Sequence, residues 1–423
     1  MNIRRVTDWL KHLSVFAVFQ AMIQLTGLFT GLILVRFLSR EEYAFYTIAF
    51  SMQSTFSILA NLGVGSAVMA IASRILQDKK ELGRLMYTGF FYRRKLAFYA
   101  TLLVAPIMAW LLLKNGASAL YATLLVLIVL ADLHFNLAVE YYLVILRLFK
   151  QVIIVQKIEL KTRLLRLLMI MSGYFVYLNA LIGILTTFGS SVIRHMKLSK
   201  ELSREIAIEG PLNESYQKEI VETLKRLAPN SIFYTIQGQL TIWLISIFGN
   251  TSGVAEIGAL GRFAIIFGFI GELTTNYIVP GFARIHQRVV FFRRFCQVVS
   301  IFIFWSGCAL SISYLYPEKI LWILGEKYTH LQHELTLILF SSILHSFGGM
   351  LWSIMLGKAW VKHVWINIPA ILFLQLAYVC YFDITSLNGA IWIGIIAAIP
   401  GIIIPLFSLP GGLKTLDDDG SNA

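Results

Sequence analysis

From Ala119 to Lys150 the chain places a short series of polar side chains, at helical spacing, inside a stretch that is otherwise apolar, and few folds can accommodate that pattern. The stretch opens as a purely hydrophobic run, Ala119 to Leu130, and then carries Asp132, Asn136, Glu140, Arg147 and Lys150. At 100° per residue these five fall at about 0°, 40°, 80°, 60° and 0°, within one quarter of a helical wheel. They form one polar stripe. The segment is long enough to cross ~30 Å of hydrocarbon, with Asp132 near the middle and Glu140 roughly two turns closer to one surface. A carboxyl group facing lipid at that depth costs at least ~2.5 kcal/mol, so the stripe is expected to face a bundle interior or a hydrated cavity.

The rest of the composition agrees with a membrane environment. Of 423 residues, 57% are hydrophobic and 14% charged, which is outside the range of ordinary soluble domains and predicts an all-α polytopic membrane protein. Cys296, Cys308 and Cys380 lie in hydrophobic runs without ligand spacing and read as packing residues. No cleavable signal is expected, because the run after the short basic segment Met1 to Lys11 is too long for a signal core and lacks a small-residue cleavage site.

Twelve spanning helices are predicted, at roughly 13–38, 43–71, 96–113, 119–146, 158–176, 178–193, 227–249, 257–279, 295–315, 332–356, 364–382 and 387–407. The net charge of +13 suggests acidic partners until its distribution is read. With both termini inside, the cytoplasmic segments hold 30 of the 36 Lys and Arg residues and the outer segments 5, so the charge reflects topology and predicts cytoplasmic termini, with no nucleic-acid partner. The one long hydrophilic interval, Arg194 to Arg226, mixes seven bases with six acids and reads as a cytoplasmic amphipathic linker. It separates a six-helix lobe at 1–193 from a second at 227–423, which ends in the acidic tail Asp417 to Asp419.

The two halves share weak features in the same order. Glu42 and Glu256 start the second and eighth helices 214 residues apart, and aromatic–arginine clusters at 90–94 (FFYRR) and 291–294 (FFRR) precede the third and ninth. Gln20, Gln24, Gly27 and Gly31 line one face of the first helix, as Asn230, Tyr234, Gln237 and Thr241 do on the seventh. Six helices per half make this a parallel repeat.

Asp132 and Glu140 are candidates for a coupling proton or cation, since a membrane carboxyl group can change the local charge by taking up either. The alternative is that they hold helices together, paired with Arg147 or with amides on neighbouring helices. His134 lies nearly opposite Asp132 and does not share its face. Glu272, with Asn276 one turn on, forms a second polar stripe and a third coupling candidate. Arg262, some five residues inside the eighth helix, either snorkels to the surface or points inward toward a phosphate. Arg36 and Arg74, at opposite ends of the first two helices, read as interfacial anchors; were the cargo a phosphorylated lipid, these three arginines would be first choices for handing along its headgroup. Cavity-lining candidates are Gln20, Gln24, Asn136, Asn230, Tyr234, Gln237 and Asn276. Lys157, Lys161, Arg163 and Arg166 form either a solvated face or a basic vestibule for an anionic headgroup, and Gly27 with Gly31 suits close helix packing. The sequence has no nucleotide-phosphate loop, zinc-type spacing or nucleophile elbow, so neither an enzyme nor an ATP-driven pump is expected from this chain alone, and no cofactor or metal site is predicted.

The segments Leu34 to Tyr46 (LVRFLSREEYAFY), Leu62 to Ala67 (LGVGSA), Leu227 to Asn230 (LAPN), Glu256 to Arg262 (EIGALGR) and Pro317 to Tyr328 (PEKILWILGEKY) resemble the polysaccharide or O-antigen repeat-unit flippases. These are the Wzx-like branch of the multidrug/oligosaccharidyl-lipid/polysaccharide (MOP) exporter superfamily. Ala44 stands where a glycine is common. The resemblance implies two six-helix lobes around a cavity in the bacterial inner membrane, working by alternating access. It implies as cargo an oligosaccharide on an undecaprenyl diphosphate carrier, turned from the cytoplasmic to the outer leaflet, with a polysaccharide polymerase and glycosyltransferases as partners. It transfers no family-wide catalytic residue. Competing readings are a cation-coupled drug or metabolite antiporter of the related multidrug and toxic compound extrusion (MATE) type, a peptidoglycan-precursor flippase, and a membrane scaffold without transport activity.

Overall fold

The computed structural model describes residues 3–274, 278–360 and 364–416, with backbone alone for 3–17 and a few later helical positions. Among the described residues the chain is helical and has no strand. The helices are α1 (Ile3–Phe37), α2 (Arg40–Leu59), α3 (Val64–Arg74), α4 (Lys79–Lys114), α5 (Ala119–Leu148), α6 (Val152–Val176), α7 (Ala180–Ser203), α8 (Glu214–Phe248), α9 (Thr251–Leu273), α10 (Val279–Ala283), α11 (Arg288–Leu315), α12 (Pro317–Leu324), α13 (Gln332–Gly357), α14 (Asn367–Tyr381) and α15 (Leu387–Leu413). In each of the twelve predicted segments the described residues are mainly helical. Among the described residues, seven helices are long and apolar enough to cross a membrane, and the bent pair α2 with α3 makes an eighth. This is the fold of a polytopic membrane protein.

Helix starts follow from side chains that accept the free N–H groups of a first turn. Ser39, Asp78, Ser118, Asn179 and Ser386 cap α2, α4, α5, α7 and α15 in this way. Inside the helices, hydroxyls are satisfied by the carbonyl one turn back, as in Thr26 to Met22 O and Thr30 to Thr26 O, both 2.7 Å. In a medium without water, that local bond lets a polar residue sit in a span.

The second predicted helix, 43–71, is corrected to a pair bent by 43°. Leu62 (φ 37°) and Gly63 (φ 94°) are left-handed, and Asn61 Oδ1 accepts from the Gly65 N–H at 3.0 Å. The segment LGVGSA is thus a helix break, and a Cβ on Gly63 would stand 3.0 Å from the Leu227 side chain. The third helix begins at Lys79 instead of 96, because Asp78 caps it and Leu82, Leu85 and Met86 give its basic first half a buried face.

The chain divides into two compact units, 1–239 and 240–423. In the first, α5 packs on α7, α1 and α7 on α6, and α2 on α4. Its core joins α3, α4, α5 and α7 through Val68, Met86, Tyr141 and Leu198. Gly89 sets the approach of α4 to α5, since a Cβ there would meet the Tyr141 ring and hydroxyl at 2.7 Å. The hydrophilic interval is laced to the same unit: Arg74 pairs with Glu219, Gln151 donates to Glu205 at 2.7 Å and Tyr216 to Glu81 at 2.8 Å. In the second unit α13 packs on α15 and α9, with Ile257, Ile391 and Ile395 at its centre.

Candidate functional site

The polar residues of α5 are drawn into two separate arrangements within the first unit. Asp132 is fully buried. Its Oδ2 accepts from Gln53 Nε2 of α2 and from Asn136 Nδ2 at 2.5 Å, and the same amide reaches Ser191 Oγ of α7 at 3.2 Å. Asp132 Oδ1 and Gln53 Oε1 are buried without a hydrogen-bond partner among the described residues. Both acceptors belong to one buried cluster, where a proton on Asp132 would turn one of them into a donor. Arg166 of α6, which donates to Tyr46 Oη at 3.1 Å, acts on Asp132 through its field.

Glu140, two turns on, leaves that ring. Its Oε2 is paired with Arg93 Nη2 of α4 at 2.6 Å, and Arg93, 1% exposed, also donates to Leu137 O at 2.5 Å and stacks on the Tyr141 ring at 4.7 Å. The Glu140 side chain is 44% exposed and borders a cavity of about 250 Å³ that it shares with Ser57, Asn61 and Asn230. Glu140 therefore pairs with an arginine on the neighbouring helix, while Arg147 is exposed at the far end of α5.

A third group lies on α6 and α7. Arg194 holds Glu159 at 2.7 Å, Arg163 stands within electrostatic reach of both, and Arg166 within reach of Arg163. A Cβ on Gly27 would come 3.2 Å from Arg163 Nη1, so this glycine of α1 makes room for a guanidinium. Three arginines stand near two carboxylates, Glu159 and Asp132, and the excess is positive.

The remaining candidates are scattered. Gln20 and Gln24 are half-buried on α1, Asn230 and Tyr234 are exposed on α8, and Gln237 is half-buried there. Arg36 is exposed at the end of α1, Arg74 is bound to Glu219, and Arg262 is half-buried on α9 of the other unit. The Glu272 side chain and all of Asn276 fall outside the described residues. The functional side chains that sequence reasoning did not single out are Gln53, Arg93 and Ser191. Arg93 belongs to a basic run that resembles a loop until the helix is seen to pass through it, and Gln53 carries no charge to mark it.

No protein-family model matches the sequence, and no curated protein matches it significantly. Solved structures do match, over nearly the whole length of both chains. An inward-facing multidrug resistance MATE family transporter of the MOP superfamily aligns with 93% of this chain and 96% of its own at 16% identity and a TM-score of 0.67. Its outward-facing counterpart aligns over 95% and 94% at 18% identity and 0.63. A MOP superfamily transporter from Pyrococcus furiosus, described as having a binding pocket of reversed polarity that suggests a different function, aligns over 94% and 93% at 16% identity and 0.60. At such identities the likeness is one of fold, and it extends from end to end.

Proposed function

We propose that this chain, built on the fold of the MATE transporters of the MOP superfamily, is a membrane transporter whose cargo is an anionic lipid-linked oligosaccharide. The cargo is an oligosaccharide repeat unit on undecaprenyl diphosphate, carried from the cytoplasmic to the outer leaflet of a bacterial inner membrane by alternating access, for a polymerase to use. The observation that supports an anion is the grouping of Arg163, Arg166 and Arg194 around two carboxylates, Glu159 and the more distant Asp132, which leaves one positive charge in excess. A diphosphate is recognised by planar, multidentate donors, and guanidinium groups supply them. Arg36, Arg74 and Arg262 are further candidates for the headgroup, and Asn230 with Glu140 for sugar hydroxyls at the cavity they share.

A second reading, a cation-coupled drug or metabolite antiporter, rests on the Asp132 ring with its two unpartnered acceptors. The two readings differ in what accumulates when the chain is lost. Deleting the gene and separating the lipids of the two leaflets tests them: the flippase leaves carrier-linked repeat units in the inner leaflet. Unchanged carrier pools, together with new sensitivity to amphiphilic cations, would overturn it in favour of the antiporter.

A further inference from the structure

A cavity of about 430 Å³ opens in the first unit between α4, α5 and α7, and the function proposed above makes no use of it. Its polar lining is basic: Arg93, Arg94, His134 and His195, with Tyr142 beside them and no carboxylate among the lining residues. Glu140 neutralises Arg93 from behind, whereas Arg94 is exposed and forms no ion pair among the described residues. The His195 ring is held at 5.3 Å from Phe135 and 5.4 Å from Tyr142, and its Nδ1 has no hydrogen-bond partner among the described residues. His134 is two residues from Asp132 and about 200° around α5, so this cavity faces away from the Asp132 ring.

Two exposed stripes lead out of the cavity. On α4, Tyr87, Phe91, Arg94, Phe98 and Leu102 follow one another at three- and four-residue steps and share a face, with Phe98 61% and Leu102 60% exposed. On α5, His134, Leu127 and Leu120 stand seven apart on another face, with Leu127 56% exposed. The two helices pack as consecutive antiparallel neighbours, so both stripes pass from basic to apolar in the same direction. Exposed apolar surface on a spanning helix meets acyl chains, and cations at the end of such a surface meet headgroups. A volume near 430 Å³ lies in the usual range for a bound small ligand.

We propose that the basic cavity binds the phosphate headgroup of an anionic phospholipid, with its acyl chains along the groove between α4 and α5. The basic ends of these helices are cytoplasmic by the charge distribution of the chain, so the lipid belongs to the inner leaflet. This site is independent of the transported substrate and stands whichever cargo is moved.

The test uses the full chain, purified and reconstituted in nanodiscs of equal parts dioleoyl-phosphatidylglycerol and dioleoyl-phosphatidylcholine, then released for native mass spectrometry. The wild type retains phosphatidylglycerol in preference to phosphatidylcholine. Arg94→Gln lowers that preference roughly fivefold, the effect of one basic residue at an anionic surface. Lys114→Gln, at the opposite end of α4, leaves it unchanged. His134→Gln, an exposed substitution, lowers it in the same sense and covers the case in which the arginine variant expresses poorly. Equal retention of the two lipids by the wild type, or a preference unchanged in both cavity variants, would overturn the proposal. So would displacement of the lipid by inorganic phosphate at the same concentration, which would make this a site for a free anion.

Discussion

Replacing Asp132 by asparagine separates the carboxyl group's charge from its hydrogen bonds. Both donors, the amides of Gln53 and Asn136, reach the same oxygen, Oδ2, while Oδ1 has no partner. An asparagine with its carbonyl at Oδ2 keeps both bonds and places an N–H₂ where Oδ1 stood, in the cluster that holds the unpartnered Gln53 Oε1. The charge-assisted part of the two bonds is lost, at about 1 kcal/mol each, but a buried charge is removed at the same time, so the net change is expected to stay within about 1 kcal/mol. Asp132→Leu differs: it strands the Gln53 amide and leaves Asn136 with Ser191 Oγ alone, at a cost of about 1–3 kcal/mol. The assay pairs thermal unfolding of the purified protein with complementation of the deletion strain. The expected outcome for Asp132→Asn is a wild-type unfolding temperature with transport lost. An asparagine variant as unstable as the leucine variant would show that the charge holds the bundle together. A stable, fully active one would show that protonation of Asp132 plays no part in the cycle.

Other expectations follow from particular contacts. Gly89→Ala overpacks the α4–α5 crossing against Tyr141 and Val68 and should cost about 1–3 kcal/mol, read as a lowered unfolding temperature; no change would mean that the crossing can widen. Glu140→Gln should cost only about 1 kcal/mol, because its half-exposed carboxylate is screened and Arg93 keeps Leu137 O and the Tyr141 ring, whereas Arg93→Ala should cost about 3 kcal/mol or more by emptying a buried volume; equal losses in thermal unfolding would contradict this. Reversing the exposed Arg74–Glu219 pair by a double exchange should leave stability within about 0.5 kcal/mol of wild type, and a larger loss would show that the pair is more than a surface contact. Just before α15, the backbone N–H and then the hydroxyl of Thr385 hold the Asp383 carboxyl below the usual carboxylate range. The unfolded chain therefore protonates first as pH falls, and the contribution, present above the ordinary carboxylate range, disappears as pH drops through the lowered value. Asp383→Asn should abolish that acid-side dependence in unfolding measured against pH.

Much of this fold is legible because a span must be apolar over its whole length and its ends must be capped. The predicted start at 119 is kept, with Ser118 as its cap, while the predicted start at 178 moves to Ala180 because Asn179 caps that helix. The break at Gly63 was written in LGVGSA, but an apolar run with two glycines also fits a continuous helix, and only the left-handed backbone distinguishes them. The site was less legible. Asp132 and Asn136 announce themselves by period, since one element carries both. Gln53, 79 residues away, does not, because a neutral amide on a neighbouring helix leaves no local trace. Arg93 was hidden for the opposite reason: charge on every side of it looked like water, and Asp78's cap together with the buried Leu82 and Leu85 carries the helix through the run. Gly27 looked like a helix–helix contact, and its space holds the Arg163 guanidinium.

The uninterrupted α4 has a consequence for how the protein is seated. At 1.5 Å per residue its 36 residues reach about 54 Å, well beyond a hydrocarbon slab of ~30 Å. The cations of its first half are thus mounted on the same mast as its apolar second half. Sliding that mast by a single turn would drag Arg93 off its carboxylate and pull the laced segment 204–226 along with it, so the bilayer holds the helix at one depth as a keel is held at its waterline.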